Sequence, residues 1–200
     1  MLLDAQDSQL VLVDYQQRLM PAVHEHGAVV ANAVRLATLA RMLEVPLWVT
    51  EENVEGLGPT VDELRGFAAK PVRKMQFSAV EPLLERLRPA ARAPQGGNAR
   101  SLPKHLQKPV AAAPTRASIV LAGCEAHVCL MQTALDLLDE ELEVWIVTDA
   151  CGSRTERNRD AAFDRLAGAG AELVTTEMVA FEWLRTAAHP LFREVLTLIK

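Results

Sequence analysis

Short apolar runs and longer amphipathic stretches alternate along this chain. Residues 9–14 (Gln-Leu-Val-Leu-Val-Asp), 46–50 (Pro-Leu-Trp-Val-Thr), 119–121 (Ile-Val-Leu) and 144–148 (Val-Trp-Ile-Val-Thr) are nearly unbroken in their hydrophobicity. Each is too short for a helix and rich in β-branched residues, the pattern of a strand buried on both faces. Residues 71–78 form a weaker strand candidate, and 171–175 a last short one. Between these runs the apolar positions recur every three or four residues, as at Val30, Val34, Ala37 and Ala40, or at Leu130, Ala134, Leu137 and Leu138. That spacing predicts helices over 29–43, 81–87, 130–138, 157–167, 177–186 and 190–199, the last with Pro190 near its first turn. Thr60 and Glu63 have the form of a capping box for another short helix. Strands separated by helices predict βαβ units, a parallel sheet and helices on both faces, an α/β three-layer αβα sandwich.

One stretch breaks the pattern. Residues 89–115 hold Pro89, Pro94, Pro103, Pro109 and Pro114 with Gly96-Gly97, and few large apolar side chains. The strands on either side continue one alternation, so this reads as a loop or arm within a single domain spanning 1–200. A chain of 200 residues suits one such domain. The basic residues of the arm, Lys104, His105 and Lys108, read as solvated loop charges.

Composition narrows the function by exclusion. The formal net charge is −5 and no basic stripe offsets it, which argues against a nucleic-acid partner. No apolar run approaches the roughly 18 residues that cross a bilayer, so no membrane partner is expected. Asp4 and Asp7 stand where a secretory signal would be basic, and three cysteines suit a reducing compartment, so the expected setting is cytoplasmic. Neither G-x-G-x-x-G nor a P-loop follows any strand, which disfavours a nucleotide cofactor. His24 and His26 flank Glu25 with no third ligand nearby and read as a solvated loop.

Three positions are candidates for chemistry. Asp14 ends the first apolar run, where an open parallel sheet places ligand groups, although turn and cap aspartates occupy the same kind of position. Lys74 alone reads as a surface lysine. Cys129 stands where the strand-to-turn passage Gly123-Cys124-Glu125-Ala126-His127 becomes a helix. Free N–H groups at a helix start favour a thiolate, so a pKa below the usual ~8.5 and a nucleophilic role are expected there. Taken alone, the same cysteine also reads as a small buried hydrophobe, which is what most single cysteines are.

Together these pieces resemble the isochorismatase-like cysteine hydrolases, the group that includes nicotinamidases and N-carbamoyl amide hydrolases. The resemblance is carried by Leu10-Val11-Leu12-Val13-Asp14-Tyr15-Gln16, Lys74-Met75-Gln76-Phe77-Ser78, and Gly123 through Cys129 with Gln132-Thr133-Ala134. Further segments are similar to the branch of isochorismatase domain-containing proteins: Gln17-Arg18-Leu19-Met20-Pro21, Gly56-Leu57-Gly58-Pro59-Thr60-Val61, Asp149-Ala150 with Ser153-Arg154, and Ala188-His189-Pro190-Leu191-Phe192.

The resemblance implies a six-stranded parallel sheet with a pocket at the strands' carboxyl ends, and a homo-oligomer. It implies Asp14, Lys74 and Cys129 as a catalytic triad acting on a small-molecule amide or related C–N substrate through a thioester. A non-proline cis peptide would fall at Cys124–Glu125, turning the N–H of Glu125 toward that of Cys129 as an oxyanion site. Gln16, Phe77, Ser78 and His127 are candidate substrate contacts. Glu125 and His127 either face substrate or brace the turn, and Cys124 and Cys151 read as packing residues. Nicotinamidases carry a metal-binding Asp-x-His after the second strand. Thr50-Glu51-Glu52-Asn53 has no histidine there, so no metal and no cofactor are expected. The alternatives are isochorismatase-type cleavage of an enol ether, or an oligomeric scaffold with little catalysis.

Overall fold

The computed structural model describes residues 1–88 and 116–200. The arm expected over 89–115 therefore lies outside the described residues. Six parallel strands, β1 (Ser8–Val13), β2 (Leu47–Glu52), β3 (Val72–Lys74), β4 (Ser118–Gly123), β5 (Glu143–Val147) and β6 (Glu172–Val174), form one sheet in the order β3-β2-β1-β4-β5-β6. Every residue of β1 and β4 is buried, which explains why their sequences lack a polar face.

The strand order runs one way from β1 through β3 and the other way from β4 through β6. Right-handed crossovers therefore put the helices of the two halves on opposite faces. Helix α1 (His26–Met42) packs with α7 (Thr176–Leu184) and α8 (Phe192–Ile199), whereas α5 (Met131–Asp139) packs with α4 (Val80–Leu87) and α6 (Glu156–Gly168). Between β1 and β4 the direction reverses, and a crevice opens at such a point beyond the strands' carboxyl ends. Among the described residues no helix is long and apolar enough to cross a membrane.

Several boundaries differ from the sequence reading. β2 runs on to Glu52, because pairing with β3 (Thr50 with Val72, Glu52 with Lys74) holds two acidic residues in extended form. β3 stops at Lys74, and residues 75–78 leave the sheet. The short helices α2 (Val54–Leu57) and α3 (Asp62–Arg65) occupy the Gly-rich region. The capping box at Thr60 does not form. Glu51 Oε1 takes both the Thr60 N–H and the Thr60 hydroxyl, at 2.9 and 2.8 Å, so the threonine ties this loop to β2. Pro190 precedes α8, whose first residue is Phe192.

Candidate active site at the strand-order reversal

Asp14 is the residue after β1, with φ of 55°, a left-handed conformation that aspartate tolerates better than most residues. That turn takes the chain off the sheet and leaves the carboxylate, fully buried, over the ends of β1 and β2. Thr50 Oγ1 donates to Asp14 Oδ1 at 2.6 Å, and Lys74 Nζ donates to Oδ2 at 2.5 Å. The same ammonium also donates to the carbonyls of Gln76 (3.2 Å) and Phe77 (2.9 Å). With three hydrogens and three acceptors, Lys74 is fully engaged.

Gly123 ends β4 beside Val13, and a Cβ there would lie 2.5 Å from the Val13 carbonyl oxygen. Only glycine lets the two strands approach this closely at the level of Asp14. The Cys124–Glu125 peptide is cis. Residues Ala126–Leu130 then form one π-helical turn before α5 begins. Among the described residues the N–H of Glu125 donates to no acceptor, whereas those of Ala126, Val128 and Leu130 are satisfied.

Cys129 sits inside this wide turn, only 6% exposed. Its carbonyl accepts the Thr133 hydroxyl (2.7 Å), and Thr133 Oγ1 in turn accepts the Ala79 N–H (3.0 Å), joining the cysteine turn to the segment after β3. Burial, reinforced by the Asp14 carboxylate, pushes the thiol up to about 12, although Lys74 pulls the other way. The low value expected at a helix start is therefore corrected. The sequence signal located the turn, but the thiol is desolvated and faces an anion before it meets the helix dipole. At neutral pH the resting group is the thiol.

The flanking residues brace the turn. Arg154 donates to Glu125 from its backbone N–H (3.0 Å), Nε (2.9 Å) and Nη2 (2.6 Å), which holds the Glu125 carboxyl below the usual carboxylate range. His127 Nδ1 lies 3.0 Å from Ser153 Oγ and its Nε2 3.4 Å from Asn158 Nδ2. Gln16, fully buried, has Nε2 donating to the carbonyls of Glu52 and Gly58 while Oε1 accepts the Glu52 N–H. Its amide is committed to the backbone. Ser78 Oγ accepts the Val80 N–H at 3.3 Å at the start of α4, and Phe77 is exposed beside the Lys74 loop. Cys124 and Cys151 are free, buried thiols, both pushed up by burial. His24 and His26 are exposed, and no group of three or more metal-ligating side chains occurs among the described residues.

Thr50 and Glu52 reach the site without having been singled out from the sequence. The available signal was their place at the end of the second apolar run, since neighbouring parallel strands bring their carboxyl ends together. A cleft of about 610 Å³ opens beside Lys74, between Asn53–Glu55 and Arg73–Gln76. A larger cavity of about 760 Å³, bordered by Met20, Val30, Val34 and Leu198, is lined by none of Asp14, Lys74 and Cys129.

A model of the isochorismatase domain matches residues 8–178. Isochorismatase domain-containing protein 2A of Mus musculus is 37% identical over 195 residues, covering 98% of this chain and 84% of that protein. A Caenorhabditis elegans structure described as MAR1 ribonuclease superposes with a TM-score of 0.82 at 30% identity, covering 100% of this chain and 92% of that one. The YcaC gene product of Escherichia coli, described as an octameric hydrolase of unknown specificity, gives 0.77 at 26% identity, with 98% and 95% covered.

Proposed function

This chain belongs to the isochorismatase family, and on that premise we propose that it is a cysteine-dependent hydrolase of a small amide or related C–N substrate. The observation that carries the reading is convergence. A carboxylate from the end of β1, an ammonium from the end of β3 and a thiol from the turn after β4 come within range of one another at the strands' carboxyl ends.

In this reading Asp14 takes the thiol proton as the Cys129 sulfur attacks the carbonyl carbon. A thiol that is protonated at rest requires such a base. Lys74 and Thr50 hold the carboxylate in place, and the ammonium offsets its charge. The N–H groups of Glu125 and Cys129 receive the oxyanion, each worth about 2.7–4 kcal/mol in well-studied acyl-transfer sites. Collapse of the tetrahedral adduct breaks the C–N bond, and Asp14 returns its proton to the departing amine. Asp14 then draws a proton from water as the oxygen attacks the thioester. The carboxylic acid leaves and the sulfur is reprotonated.

An RNA substrate, which the description of the C. elegans structure would suggest, does not suit this chain. An RNA ligand calls for a surplus of positive charge, whereas this chain has a net charge of −5. We further infer a homo-oligomer, supported by the octameric E. coli neighbour and by the exposed Met75 and Phe77 next to the pocket.

Turnover of a panel of small amides, followed by mass spectrometry of the quenched enzyme, tests the hydrolase. An acyl mass on the peptide carrying Cys129, absent in Cys129→Ala, is expected. Full turnover by Cys129→Ala would overturn the reading.

A further inference from the structure

The catalytic steps leave one carboxylate beside the Asp14–Lys74 pair without a task. Residues of β2 alternate between the two faces of the sheet. Thr50 faces Asp14, and Glu51 turns to the opposite face, where it binds Thr60 and approaches Arg73 at 3.9 Å. Glu52 therefore shares the face of Thr50, and its register partner is Lys74. Gln16 pins it there by accepting its N–H and donating to its carbonyl, both at 2.8 Å.

The half-buried Glu52 carboxylate has no hydrogen bond or ion pair among the described residues. Lys74 cannot supply one, because its hydrogens are committed to Asp14 and to the carbonyls of Gln76 and Phe77. Yet Glu52 is close enough to feel both Asp14 and Lys74, and to act on Cys129. Partial burial, aided by the Asp14 charge and opposed by Lys74, pushes its carboxyl up, so the anion lacks solvation that a ligand could provide.

From this placement we propose that Glu52 is the specificity-determining residue of the pocket and selects small amides that also carry an ammonium, amidinium or guanidinium group. The proposal rests on the hydrolase reading and names its substrate class. The cation would pair with Glu52 while the scissile carbonyl lies over Cys129, and the cleft bounded by Asn53 and Met75 gives the remainder of the molecule room. A carboxylate in the same place would meet Glu52 and Asp14, while the Lys74 ammonium is committed to its three acceptors and Arg73, at the edge of the cleft, lies on the Glu51 side of the sheet. That clash rejects anionic amides as well as favouring cationic ones.

The test is binding rather than turnover. The Cys129→Ala protein, which cannot be acylated at that position, is titrated calorimetrically with 4-aminobutanamide, butanamide and succinamate, which are cationic, neutral and anionic amides of similar length. The cation is expected to bind at least about tenfold more tightly than the neutral amide, with the anion weakest. In Glu52→Gln/Cys129→Ala the cation and the neutral amide should bind within about twofold of each other. The rim variant Glu55→Gln/Cys129→Ala should retain the preference. A preference that survives Glu52→Gln, one lost instead in Glu55→Gln, or no binding of the cation overturns the assignment. Turnover by the protein with Cys129 intact is measured separately, so a failed hydrolase and a failed specificity residue give different results.

Discussion

The Lys74 ammonium lies 2.5 Å from Asp14 Oδ2, and neither side chain is exposed to solvent. A buried pair of this kind is poor evidence of stability in itself, but breaking it is costly because one charge is left behind without a partner. Asp14→Asn and Lys74→Met should each destabilise the fold by about 3–5 kcal/mol, measured by denaturant unfolding. The double variant should recover most of that loss. Turnover should fall at least about 100-fold in all three, because restored folding does not restore the base. Recovery of activity in the double variant would show that the pair is only structural.

The titration of Cys129 has a definite sign. Its thiol is pushed up to about 12, mainly by burial and then by Asp14. Iodoacetamide modification should therefore rise about tenfold per pH unit from pH 7 to 10 without a plateau, since only the thiolate reacts. Asp14→Asn removes a group that raises the pKa, so modification at pH 8 should become faster even as turnover is lost. A plateau near pH 8.5 in the wild type would contradict the burial of this thiol.

Arg154 holds the Glu125 carboxyl below its ordinary value of 4.5. A depressed folded-state pKa contributes stability that is full above the unfolded-state pKa and is lost as pH falls through the folded value. The wild type should therefore have a higher Tm than Glu125→Gln at pH 6. The difference should shrink steadily below pH 4.5 and vanish in stronger acid. Thermal unfolding of both proteins over that range checks the sign.

Gly123→Ala would drive a methyl group into Val13, 2.5 Å from its carbonyl oxygen and 2.6 Å from its Cβ. Neither can yield without moving β1. The substitution should destabilise by roughly 1–3 kcal/mol and lower kcat more than it raises KM, because Asp14 and Cys124 directly follow the residues forced apart. Unfolding curves with steady-state kinetics test both parts. An unperturbed kcat would show that this contact does not position the site.

How much of this could be read from the chain alone differs from residue to residue. The apolar runs that became β1, β4 and β5 were evident because a strand buried on both faces has no polar face to disguise it. Asp14 and the Gly123–Cys129 turn were evident because each punctuates such a run. Lys74 was visible only through its family context; three residues of β3 are too few to show a period.

What stayed hidden depends on register and burial, which are properties of neighbours in space. Pairing of β2 with β3 set Glu52 beside Lys74 and sent Glu51 to the other face, where Thr60 satisfies it instead of capping a helix. Local position favours a thiolate at Cys129, but the enclosing walls and the Asp14 charge favour the thiol. Patterning along the chain reports which faces are buried, because burial tracks hydrophobicity and hydrophobicity is periodic. It cannot report which charges meet across the sheet, because their energy depends on distances that exist only once the strands have paired.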